Sequence, residues 1–124
     1  YNTYISGKWH LGHEPHNLPP ARGFKRSLIQ ADSGSDNWEM RPYLLLKPDV
    51  AWFKEGEPLH ELPADFYSST FFVDTAIAQI AADRDTGKPF FSLSRTDVST
   101  VGSGFRSRAC AHWKVASSLR PTRQ

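Results

Sequence analysis

A chain of 124 residues is long enough for one small domain with a modest core, and its 39% hydrophobic and 23% charged residues are ordinary for a globular protein. No apolar run approaches the ~20 residues needed to cross a bilayer, and the single cysteine, Cys110, excludes both an internal disulfide and a multi-cysteine zinc site. The net charge of +2 is unevenly divided: residues 92–124 carry six Lys/Arg against one acid, or +5, which leaves −3 for residues 1–91.

The opening residues, Tyr1-Asn2-Thr3-Tyr4-Ile5-Ser6, have neither an initiator methionine nor a basic-then-apolar leader pattern, and read as the interior of a longer polypeptide. Tyr4-Ile5-Ser6 predicts a short strand that breaks at Gly7 and delivers Lys8 and His10 to a loop. Gly12, Pro15, Pro19 and Pro20 exclude a continuous helix or central strand there. Ser27-Leu28-Ile29-Gln30 predicts a second strand, and Asp32-Ser33-Gly34-Ser35-Asp36-Asn37 is loop chemistry. Tyr43-Leu44-Leu45-Leu46 and Val50-Ala51-Trp52-Phe53 are strand candidates. Lys54-Glu55-Gly56-Glu57 is a turn, and Pro58 limits regular pairing beyond it.

After Leu62-Pro63, Ser68 or Ser69 is placed to cap a helix whose apolar stripe is Phe72, Val73, Ala76, Ile77 and Ile80. Asp83-Arg84-Asp85-Thr86-Gly87 ends that helix, and Phe90-Phe91 reads as the apolar start of a buried strand. Helix, short loop and strand in this order give an α/β fold class, with one clear helix and an incomplete sheet. From Ser92 the texture changes. Residues 92–124 are rich in Ser and Arg with apolar residues scattered singly, and a disordered basic tail is expected there. Phe105 and Trp113 interleave with its arginines as a single-strand binder would need, but no recognised motif accompanies them, so nucleic acid is not the expected partner.

Lys8 and His10 form the most informative pair. A cation and an imidazole two residues apart, after a strand and between glycines, can point at one anion. Lys supplies a point charge and three donors; His donates a hydrogen bond or exchanges a proton near neutral pH. His10, His13 and His16 are spaced H-x-x-H-x-x-H, but Gly12 and Pro15 keep a helix from gathering them, and solvated loop histidines are expected rather than a metal site. Asp83 and Asp85 beside Arg84 read as a solvated turn, and Phe72, Ile77 and Ile80 as core. Trp38 and Trp52 are able to line an aryl pocket, although the sequence places neither.

Gly7-Lys8-Trp9-His10-Leu11-Gly12 resembles the second signature of the sulfatases, a family of the alkaline phosphatase superfamily. Three further segments match bacterial arylsulfatases in order: Arg22-Gly23-Phe24, Leu62-Pro63-Ala64-Asp65-Phe66-Tyr67-Ser68-Ser69, and Gly87-Lys88-Pro89-Phe90-Phe91. The resemblance covers residues 1–91 and implies part of an alkaline-phosphatase-like catalytic domain that hydrolyses small-molecule sulfate esters. It implies a formylglycine nucleophile, made from Cys or Ser in a C/S-x-P-x-R motif, and a divalent cation, usually calcium. Lys8 would then hold the sulfate, and His10 would hydrogen-bond the formylglycine hydroxyl and assist its turnover. Trp9 and Leu11, alternating with them, are expected to pack rather than react.

The departures from the family are equally specific. No C/S-x-P-x-R occurs, Cys110 being followed by Ala111-His112-Trp113-Lys114, and the family's calcium-binding acidic pairs have no counterpart. This chain alone is therefore expected to be inactive. The resemblance stops at Phe91, where the charge shifts, which suggests that the residues from about 92 on are out of frame. The alternatives are a phosphonate or phosphodiester hydrolase of the same superfamily, or a non-catalytic remnant with a basic binding tail. A soluble protein of the bacterial cytoplasm or periplasm, without a membrane partner, fits all of these.

Overall fold

The computed structural model describes residues 1–42 and 49–96. The candidate strand at residues 43–46 and the tail beyond residue 96 lie outside the described residues. Strand β1 (Asn2–Lys8) is parallel to β2 (Arg26–Gln30) on one side and to β5 (Phe90–Arg95) on the other. Strands β3 (Trp52–Lys54) and β4 (Glu57–Pro58) extend the β2 side antiparallel, giving the sheet order β4-β3-β2-β1-β5. One helix, α1 (Ser68–Ala82), precedes β5. The class is α/β, as the sequence predicts. No helix among the described residues is long and apolar enough to cross a membrane.

Gly7 does not break β1; the strand runs through it to Lys8. A Cβ at this position would lie 2.0 Å from the Arg95 carbonyl oxygen, and the φ of +136° is one that side chains rarely tolerate. The glycine marks a close approach of β5 to β1 rather than a turn.

Alternation along the strands sorts their side chains onto two faces. Ile5, Ile29 and Phe53 lie under Trp9, Leu18 and Phe24, which belong to the loop joining β1 to β2. That loop is built from two short 3₁₀ turns, Pro15–Asn17 and Pro19–Arg22, as its prolines demand. Trp9 Nε1 donates to the Asn17 carbonyl at 2.9 Å, so the buried indole is satisfied. On the opposite face, Leu28 and Trp52 pack with Val50, Phe66 and the α1 residue Phe72. Trp52 is 2% exposed, stacked on Phe72 at 5.4 Å between ring centroids and edge-on to Phe66 at 5.5 Å.

The β3–β4 connection is a two-residue hairpin in which Glu55 and Gly56 both have positive φ, 54° and 89°. Turns of that handedness match the twist of the flanking strands. Pro58 is tolerated because β4 forms the outer edge.

Two features of α1 differ from the sequence expectation. Tyr67, not a serine, is the N-cap residue, and it makes no side-chain cap bond. Ser68 is the first helical residue; its hydroxyl donates to Asn37 Oδ1 at 2.8 Å and its amide donates to the Asn37 carbonyl at 2.9 Å. The predicted stripe is only partly the buried face, with Phe72 buried and Ala76 and Ile80 half-buried. Ser68, Phe72 and Gln79 are buried, whereas Val73 and Ile77 are 45% and 60% exposed. Two polar contacts fix this rotation: Ser6 Oγ donates to the Phe72 carbonyl at 2.7 Å and Gln79 Nε2 donates to the Ile5 carbonyl at 3.3 Å. Phe90 and Phe91 are likewise about half exposed rather than buried, because β5 is the other outer edge of the described sheet.

Asp83 is not a solvated turn residue. It closes α1 onto the amino ends of β1 and β2, accepting from Tyr4 Oη at 2.8 Å, Lys25 Nζ at 2.9 Å and Arg26 Nε at 3.3 Å. Lys25, then Tyr4 and Arg26, hold its carboxyl well below the usual carboxylate range. Burial, reinforced by Asp83, pushes the Tyr4 hydroxyl up to about 12. The depressed Asp83 value stabilises the fold above the unfolded carboxylate value near ~4 and is lost as pH falls through the folded one. The raised Tyr4 value acts below about 10 and is lost as pH rises toward 12. Asp83→Asn should therefore lower the melting temperature at pH 7, and the gap between the two proteins should close on acidification below pH ~4. Melts recorded from pH 7 down to pH 2 check this; a gap independent of pH would contradict the ion cluster.

Candidate functional site

Because β1, β2 and β5 are mutually parallel, their carboxyl ends share one edge of the sheet. In open α/β sheets that edge is where ligands bind. Lys8 is the last residue of β1 and pairs in register with Gln30, the last residue of β2. Arg95, which ends β5, lies in register with Gly7. Helix α1 runs antiparallel to β1, since Ser6 contacts Phe72 while Tyr4 contacts Asp83. Its amino end therefore sits at the same edge.

Past Lys8, two backbone bonds continue the β1–β2 pairing: the Trp9 amide donates to the Gln30 carbonyl at 2.9 Å and the His10 amide to the Ala31 carbonyl at 3.0 Å. There the chain turns sharply, and His10 takes a left-handed φ of 58°, a conformation uncommon outside glycine. The turn ends the alternation, so Trp9 is buried at 8% while Leu11 is 62% exposed and does not pack as expected. His10 is exposed, and its Nδ1 lies 3.3 Å from Ser33 Oγ. Next to it, His13 Nε2 is 3.1 Å from Asp32 Oδ1, joining the β1–β2 loop to the end of β2.

Lys8 and His10 thus share one edge of the sheet with Asp32, Ser33 and Arg95, of which Ser33 contacts His10. Sequence reading did not single out these last three. Asp32 and Ser33 looked like turn formers, yet a polar pair directly after a predicted strand is a usable signal in a parallel sheet. Arg95 looked like part of the tail, but it belongs to β5. The three spaced histidines do not converge: His10 meets Ser33, His13 meets Asp32, and His16 is exposed on the first 3₁₀ turn. Among the described residues no three His, Cys, Asp or Glu side chains gather to hold a metal ion. Trp52 is core, whereas Trp38 is 65% exposed.

The chain is similar to an uncharacterized sulfatase of Schizosaccharomyces pombe, with 33% identity over 98 residues that cover 74% of this chain and 18% of that protein. It is also similar to an arylsulfatase of Klebsiella aerogenes, with 35% identity over 71 residues that cover 56% of this chain and 15% of that protein. The chain spans less than a fifth of the length of these curated relatives. No family model matches. The finding is sulfatase homology at modest identity over part of the sulfatase length.

Proposed function

We propose that this chain is the Lys8/His10 segment of an arylsulfatase-like sulfuric ester hydrolase. The observation that carries the reading is the position of these two residues at the carboxyl edge of a parallel sheet, in a chain similar to a sulfatase over 74% of its length. Lys8 Nζ places a positive charge against the nonbridging oxygens of a sulfate ester and holds the anionic group in place, while the bonding pair of the breaking ester bond departs on the alcohol oxygen. With Nδ1 of His10 engaged by Ser33, Nε2 is the ring nitrogen that exchanges a proton with the reacting group. The formylglycine hydrate of the family would supply the nucleophile. These 124 residues hold no C/S-x-P-x-R source for it.

The expected result is no release of 4-methylumbelliferone from its sulfate ester by this chain, with calcium present, above a protein-free control. A longer polypeptide joining this segment to a C/S-x-P-x-R sequence should be active, and Lys8→Ala in it should reduce kcat by about 10²–10³. Turnover by the 124-residue chain, or preference of the longer protein for a phosphate ester, would overturn the reading.

A further inference from the structure

Resting on that reading, we propose that His13 and Asp32 are the positioning pair of the site: their contact fixes the segment that carries Ser33, and so sets the direction of the His10 ring. His10 needs such a fixing. Its ring is exposed, its backbone holds a left-handed φ of 58°, and its Nδ1 meets the Ser33 hydroxyl at 3.3 Å. Ser33 itself belongs to Asp32–Asn37, a run of turn-forming residues past the end of β2. A hydroxyl on an unfixed loop would aim a ring poorly, and proton exchange with a bound group depends on that aim.

The anchor lies one residue before Ser33. Asp32 Oδ1 is 3.1 Å from His13 Nε2, and the Asp32 side chain is only 22% exposed. A carboxylate there selects the Nε2–H form of the ring, which donates whether the imidazole is neutral or protonated. The His13 ring in turn lies against Phe53 of β3, 6.2 Å away between centroids, and Phe53 packs on the core beneath the β1–β2 loop. Gly12 makes the path possible. Its φ of +106° reverses the chain between His10 and His13, and a Cβ there would meet Asn17 Nδ2 at 2.9 Å. On the other side Ala31 is buried and held from both directions: its carbonyl accepts from the His10 amide, and its amide donates to the Ala51 carbonyl at 2.8 Å. Residues 10–13 and 31–33 thus close a ring of contacts, joined at His10–Ala31, His10–Ser33 and His13–Asp32. A half-exposed pair of this kind adds little to stability. What it supplies here is direction.

The test reads the His10 ring itself by NMR, in the isotope-labelled 124-residue chain with its imidazoles neutral. Long-range nitrogen–proton correlations should show a single His10 tautomer, and the His10 Hε1 proton should show an Overhauser contact with the Ser33 Hβ protons. His13→Phe keeps a ring against Phe53 and removes the donor. It should abolish the contact and bring His10 to the tautomer mixture of a free imidazole. Asp32→Ala removes the acceptor and should do the same. His13→Gln keeps an N–H near the position of Nε2 but removes the ring, and should restore both signals. A tautomer mixture in the unsubstituted chain, a His10 signal that survives either removal, or a loss as complete in His13→Gln overturns the proposal. Lys8→Ala is the separate arm. If it leaves sulfate binding intact, the sulfate-site reading fails, whatever His13 does to His10.

Discussion

Gly7→Ala should cost on the order of 3 kcal/mol or more, an unusually large loss for the addition of one methyl group. The new Cβ would stand 2.0 Å from the Arg95 carbonyl oxygen, a backbone atom that no rotamer change can move. The φ of +136° adds strain wherever the methyl finds room. Relief requires β5 to leave β1, which opens the edge that carries Lys8. Urea denaturation should show the loss, and amide exchange should show it concentrated in residues 90–95. A loss below ~1 kcal/mol would mean that β5 does not approach β1 as described.

Trp52→Ala should cost about 3–5 kcal/mol, the range for removing a large aromatic side chain from a packed core. The indole bridges β3, Phe66 and α1, and its removal leaves Phe72 without its stacking partner. The same substitution at Trp38 is the internal contrast. Trp38 is 65% exposed, so Trp38→Ala should change stability by no more than ~0.5 kcal/mol. Thermal and urea unfolding of the two variants side by side checks both values. Equal losses would show that the burial assignment of one tryptophan is wrong.

The two tryptophans also show what sequence alone could resolve. Strands β1 and β2, the turn at Glu55–Gly56, the proline-built loop and α1 are legible because each rests on a local signal: an apolar run, a turn residue, or a helical period. The buried face of α1 is not local. Its choice of Ser68, Phe72 and Gln79 over Val73 and Ile77 is made by Ser6 and the Ile5 carbonyl, more than 60 residues away in the chain. The same holds for Asp83, whose partners come from β1 and the start of β2. At the candidate site, Lys8 and His10 stand out because the hexapeptide Gly7–Gly12 resembles a sulfatase signature; the glycine-flanked pair alone is a weak signal. Asp32, Ser33 and Arg95 join them only through parallel pairing, and period-two alternation is silent on which strands pair.

The central claim is that Lys8 and His10 contribute to a sulfate site at the carboxyl edge of the sheet. Titration of the isotope-labelled chain with sodium sulfate, at ionic strength matched by chloride, tests it most directly. Amide shifts should move at Lys8, His10 and Ser33, and Lys8→Ala should abolish the movement. Shifts confined to Arg106, Arg108, Arg120 and Arg123, or unaffected by Lys8→Ala, would contradict the claim.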